Sequence, residues 1–154
     1  MMAAMPDPQT VDRNVRLHIY GRFVEEEHPP TVKETARALG LPAAEVSDSF
    51  RRLAEGRVIV LEPGTLDVWM ANPFSSRPTS FRVETGDRRY WGTCVWDAPG
   101  ILAMLGDDGD VSTTCPDCDQ SLVMRVRGVS LEPLEAVAHF AVPAARWWED
   151  IGFT

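Results

Sequence analysis

Two small constellations of residues could do chemistry. Cys94 and Asp97 stand three apart in Arg89-Tyr90-Trp91-Gly92-Thr93-Cys94-Val95-Trp96-Asp97, and Cys115 and Cys118 bracket Pro116-Asp117 further on. These are all the cysteines of the 154-residue chain. After Cys94 the apolar residues Ile101, Leu102, Met104 and Leu105 recur at helical spacing up to Gly106, which predicts a helix over 94–105. If Cys94 opens that helix, Cys94 and Asp97 share one face. Free N–H groups at a helix start favour thiolate, so Cys94 is expected to be the most reactive thiol, and Asp97 can take its proton and pass it on. Read alone, the same residues are also a small buried hydrophobe and a first-turn acid.

The second pair, Cys115-Pro116-Asp117-Cys118, is half of a structural zinc site by spacing. Cys94 or His139 could extend it, but the sequence contains no second Cys-x-x-Cys pair. A redox dithiol belongs where a helix begins, and this pair reads as a turn between strands. Its third reading is a tight turn with two partly buried thiols. Trp91 and Trp96 flank the Cys94/Asp97 pair and can wall an apolar pocket. His139 lies in an apolar run and reads as a core histidine or a pocket residue, His18 as a surface side chain and His28 as part of a loop. Trp147 and Trp148 read chiefly as core.

The elements that must position these groups fall into two parts. Val11, Val15, Ile19 and Phe23 recur every four residues and predict a helix over 11–27, after a frayed start at 1–10. Thr31-Val32-Lys33-Glu34 is a capping box for a second helix that ends at Gly40. Val46, Phe50 and Leu53 line a third, and residues 57–61 and 66–70 read as a hairpin. Three helices and a hairpin give a winged-helix-like domain over 1–72. The Pro/Ser-rich stretch 72–79 is the predicted boundary, and 73–154 is the second domain. It reads as strands over 80–84, 88–93, 110–115 and 120–127, the helix between, a last strand over Ala136–Val142 and a short final helix with Trp147 and Trp148. The class is α+β.

Composition narrows the partners. The net charge is −8, and residues 1–72 carry eight basic against eleven acidic residues. The third helix offers Arg51 and Arg52 but also Glu45, Asp48 and Glu55. A DNA reader needs a basic stripe, so nucleic-acid binding is not expected and the first domain is expected to be a structural accessory. No apolar run is long enough to span a membrane. The start of the chain lacks a basic then apolar leader, which gives a cytoplasmic expectation, and an odd cysteine count fits reduced thiols.

The run Tyr90-Trp91-Gly92-Thr93-Cys94-Val95-Trp96-Asp97, then an apolar helix, then Val111-Ser112-Thr113-Thr114-Cys115, resembles the core of the organomercurial (alkylmercury) lyases. That family's pattern is an aromatic-rich strand, a Cys-x-x-Asp pair opening a helix and a Val-Ser-Ser-x-Cys strand. The resemblance extends from about Val11 to about Trp148 and is strongest over 88–126. It implies a core of small mixed β-sheets with helices, behind a helical domain that covers the active-site side. It also implies protonolysis of carbon–mercury bonds without a cofactor: Cys94 would bind mercury and Asp97 would relay a proton to the leaving carbon. Cys115 matches a structural position, and Cys118 is additional. A second mercury-binding cysteine is expected near His139-Phe140, yet Leu134–Pro143 contains none. The implied partner is an organomercurial or Hg(II). Two alternatives stay open. One is a non-catalytic soft-metal or thiophile binder using Cys94, Cys115 and Cys118; the other is a winged-helix metal-responsive regulator.

Overall fold

The computed structural model describes residues 7–152. Residues 7–10 are not frayed: helix α1 (Pro8–Glu26) starts at Pro8, and Asp7 caps it by accepting the Thr10 N–H at 3.3 Å. The rest of the expected frayed start, 1–6, lies outside the described residues. Proline at the first helical position costs nothing, because that N–H has no partner in any helix. Val11, Val15, Ile19 and Phe23 form one buried stripe.

Helix α2 (Val32–Leu39) opens on the expected capping box. The Thr31 N–H donates to Glu34 at 2.7 Å, the Glu34 N–H donates to Thr31 Oγ1 at 3.2 Å, and Gly40 closes the helix in the left-handed conformation. Helix α3 (Ala43–Glu55) buries Val46, Phe50 and Leu53. Its two arginines are engaged within the protein. Arg52 makes a two-pronged bond to Asp12 of α1 at 2.9 and 2.7 Å, and Arg51 pairs with Asp48. The Arg52 hydrogen bonds hold the Asp12 carboxyl below its usual range.

Eight strands follow: β1 (Val60–Leu61), β2 (Val68–Ala71), β3 (Phe74–Ser75), β4 (Arg82–Thr85), β5 (Arg88–Gly92), β6 (Gly109–Thr114), β7 (Ser121–Arg127) and β8 (Ser130–Leu131). They form one sheet in the order β1-β2-β3-β5-β4-β6-β7-β8, antiparallel at every pairing. The α+β class holds, but the small mixed sheets expected for the core are replaced by this single antiparallel sheet. The reason is β3, a two-residue strand that pairs with β2 on one side and β5 on the other. The hydrophobic cluster is likewise continuous from Val11 to Val126. Phe74 stacks on Phe23 of α1, with ring centroids 5.2 Å apart, and meets the edge of Tyr90 at 5.4 Å. The Tyr90 hydroxyl donates to the Val24 carbonyl at 2.9 Å, and the Tyr20 hydroxyl to the Asn72 carbonyl at 2.9 Å.

Helix α4 (Asp97–Leu105) lies against β3–β7 and buries Ala98, Ile101 and Leu102 among Val83, Tyr90, Val111 and Val126. Two glycines let it sit that close. A Cβ on Gly92 would fall 2.5 Å from the Ala98 Cβ, and one on Gly109 would fall 2.6 Å from Leu102 Cδ2.

The expected strand over Ala136–Val142 does not form. The β7–β8 ladder is extended by the Glu132 N–H, which donates to the Arg125 carbonyl at 2.8 Å, and Pro133 follows with no N–H to continue it. Residues 132–143 then run irregularly to a 3₁₀ turn, Ala144–Glu149. The tryptophans are not core: Trp91 and Trp147 are half-buried, Trp148 is exposed, and Trp96 is 76 % exposed. Among the described residues no helix is long and apolar enough to cross a membrane.

Candidate active site

Strand β5 ends at Gly92, and the chain turns through Thr93–Trp96 before α4 begins at Asp97. The helix thus starts three residues later than expected, and Cys94 stands in the turn ahead of it. The turn is pinned from outside. The Thr93 N–H donates to the Pro73 carbonyl at 3.1 Å, the Gly92 N–H to the Phe81 carbonyl at 3.0 Å, and Thr79 Oγ1 to the Gly92 carbonyl at 2.7 Å. It is pinned to the helix as well, because the Ala98 N–H donates to the Cys94 carbonyl at 3.0 Å.

This turn brings Cys94 and Asp97 together. The thiol donates to Asp97 Oδ2 across 3.4 Å, and the Asp97 backbone N–H donates to the sulfur at 3.4 Å. Thr93 Oγ1 donates to the same carboxylate oxygen. One carboxylate oxygen therefore has two donors, a hydroxyl and a thiol. Asp97 is held where it can receive the thiol proton, which geometry requires before any matching of acidities.

The expected lowering of the Cys94 pKa is corrected by its surroundings. Burial pushes the thiol up, and although the Asp97 N–H favours thiolate, the nearby Asp97 charge opposes it. The opposite holds for Cys115. Backbone N–H groups of Asp117 and Cys118, and then the Cys118 side chain, push its thiol down. Cys115 is accordingly expected to take iodoacetamide faster than Cys94 at neutral pH, and Cys94 labelling should accelerate as the pH is raised above the ordinary thiol range. Peptide mapping after a brief exposure at pH 7 checks this; preferential label on Cys94 would show that its turn favours thiolate after all.

Next to this turn lies a groove of about 1130 Å³, lined by Val95, Trp96, Pro99 and Ala103 with Thr113–Asp117, Leu122, Met124 and the stretch from Val129 through β8 to His139, but by neither Cys94 nor Asp97. Of the expected pocket residues, Trp96 and His139 line this groove and Trp91 does not; Trp91 stands on β5, paired with Ser75 and Arg82. His139 is exposed in the irregular segment, not in a core strand. Val137, 93 % exposed, is one of several bare apolar side chains along it. Leu122, Met124 and the Pro133–Ala138 stretch are lining that the sequence reading does not single out, and the apolar run of 136–142 is the signal that points toward the latter.

The three cysteines are free. Cys115 lines the groove and Cys118 is exposed on the β6–β7 turn. No cluster of three or more His, Cys, Asp or Glu side chains able to hold a metal exists among the described residues, so the three cysteines do not form one site. A smaller cavity of about 550 Å³, bordered by His28, Glu62 and Arg77, touches none of them.

A family model described as MerB: Alkylmercury lyase matches residues 74–154. The fold is similar to that of the crystal structure of the mercury-bound form of MerB2, with a TM-score of 0.64 and 19% sequence identity over 82% of this chain and 60% of that one. The chain thus spans about 60% of the length of that solved structure. No curated protein matches it.

Proposed function

The chain belongs to the alkylmercury lyase family, and on that premise we propose that it captures an organomercurial at Cys94 and protonolyses the carbon–mercury bond slowly, with Asp97 as proton carrier. The observation that carries this reading is the thiol–carboxylate contact at 3.4 Å, in a turn whose next residues, Val95 and Trp96, line an apolar groove.

Mercury is soft and exchanges a harder ligand for sulfur. As the Cys94–mercury bond forms, the thiol proton passes to Asp97 Oδ2, so a thiol kept protonated by burial suits the first step. The adduct is R–Hg–S. In the second step the carbon–mercury electron pair takes the proton back from Asp97, R–H leaves, and Hg(II) stays on sulfur. Val95, Trp96 and Pro99 offer apolar surface for the R group. A second thiolate would add electron density to mercury and make the carbon a better proton acceptor. The segment Leu134–Pro143 supplies no cysteine, which is why slow turnover is proposed. The three helices and the β1–β2 hairpin suit a winged-helix-like accessory that braces β3 and β5 without reading DNA; both arginines of α3 are already paired with carboxylates.

Phenylmercury tests the reading, with benzene release and the mercury-bearing peptide as readouts. Wild type is expected to carry phenylmercury on Cys94 and to release benzene slowly. Cys94→Ser should abolish that release. Asp97→Asn should keep the adduct while losing release by about 10²–10⁴-fold, the usual worth of general acid–base help. Benzene release that survives Cys94→Ser would sink the proposal.

A further inference from the structure

The β6–β7 turn holds a second pair of thiols that the cleavage chemistry does not use. β6 ends at Thr114, and the Cys115 N–H donates to the Gln120 carbonyl at 2.9 Å while the Asp119 N–H donates back to the Cys115 carbonyl at 3.0 Å. Asp119 adopts φ +57 to close this loop. These two bonds close a tight loop that carries Cys115 and Cys118 three residues apart. The loop's N–H groups at Asp117 and Cys118, then the Cys118 side chain, push the Cys115 thiol down. Two free thiols therefore share one tight turn, one on the groove wall and one open to solvent.

Backbone N–H groups aimed at a sulfur stabilise it as the anion, the form in which sulfur binds metal. The number of ligands then selects the ion. Structural zinc takes four ligands in a tetrahedron. Here two sulfurs stand without a third His, Cys, Asp or Glu in a ligand cluster among the described residues. A soft ion satisfied by two thiolates fits that donor set.

We propose that Cys115 and Cys118 form a two-coordinate dithiolate site for a soft d¹⁰ cation, mercuric ion in the first place, separate from Cys94. The binding step balances without redox chemistry: two sulfur–mercury bonds form, two S–H bonds break, and the protons leave to solvent. Val95 and Trp96, which follow Cys94 in the chain, line the same groove as Cys115, so both thiol sites border one surface. The site does not depend on carbon–mercury cleavage.

The test uses the full chain carrying Cys94→Ser, titrated with mercuric chloride against an excess of glutathione. Native mass, thiolate-to-mercury charge-transfer absorption and proton release are read together. One Hg(II) per chain is expected, with two-sulfur coordination by X-ray absorption, and it should be lost on adding either Cys115→Ser or Cys118→Ser. Circular dichroism checks the fold, which the exposed Cys118 can leave intact. No retained mercury in Cys94→Ser, retention despite Cys118→Ser, or one mercury bridging two chains would each overturn the proposal. Benzene release from phenylmercury by Cys118→Ser separates this inference from the lyase reading. If the mercuric site fails while release persists, only the dithiolate site falls; if release fails while Cys94→Ser still binds mercury, only the lyase reading falls.

Discussion

Phe74→Ala is expected to cost about 3–5 kcal/mol of folding stability, the range for truncating a large buried aromatic. Typical domains have only about 5–15 kcal/mol in total, so the variant should be partly unfolded at modest temperature. Phe74 is fully buried in a strand of two residues, stacked on Phe23 and edge-on to Tyr90 and Tyr20. Removing the ring leaves a cavity where the helices meet the sheet, and the β3 backbone, hydrogen-bonded to β2 and β5, cannot collapse into it. Urea unfolding followed by circular dichroism measures the loss. A change no larger than the roughly 0.5 kcal/mol of a surface substitution would show that this junction does not hold the two halves together.

Gly92→Ala is expected to damage stability and chemistry at once. The new methyl would lie 2.5 Å from the Ala98 Cβ, 2.6 Å from its Cα and 2.9 Å from its N. Two of those atoms are backbone and cannot swing aside, so α4 must move off β5. Overpacking of this kind costs about 1–3 kcal/mol. The displacement also pulls on the Ala98–Cys94 hydrogen bond and on the Asp97 N–H that faces the sulfur, so phenylmercury cleavage should fall with it. Gly100→Ala is the control. It lies in the same helix with nothing within 4 Å of an added Cβ, and should raise stability by about 0.5–1 kcal/mol. Equal melting temperatures and equal benzene release for Gly92→Ala and wild type would refute the close approach.

What was legible in the sequence is what is local. The Val11-Val15-Ile19-Phe23 stripe and the Thr31/Glu34 capping box are fixed by neighbours three or four residues away, and α1 and α2 formed where those signals put them, with α1 one turn longer at its start. The Cys94/Asp97 contact was also readable, because a separation of three brings side chains together in a turn as well as in a helix. The start of α4 was misplaced because the chain is held in a turn by Pro73, Phe81 and Thr79, contacts from other segments. The thiol acidities came out reversed for a related reason. Burial of Cys94 is a tertiary property, whereas the N–H groups that favour thiolate at Cys115 come from its own loop. The Ala136–Val142 strand does not form although its apolar run is genuine. An apolar run does not provide a partner, and Pro133 takes the chain off the ladder before it arrives.

The order of strands bears on the route by which the chain folds. Five of the seven pairings join strands adjacent in sequence and need only short loops to close. The other two reach further: Phe74 pairs with Gly92, eighteen residues on, and Arg82 pairs with Ser112, thirty residues on with all of α4 between. Closing a longer loop sacrifices more chain entropy before any contact repays it, so hairpins and helices nucleate first and these two closures follow. The Thr93–Trp96 turn lies at the rim of the first loop and inside the second. Cys94 and Asp97 are therefore among the last groups to be brought to their places, and a nascent chain should gain its helices well before it gains a competent thiol–carboxylate pair.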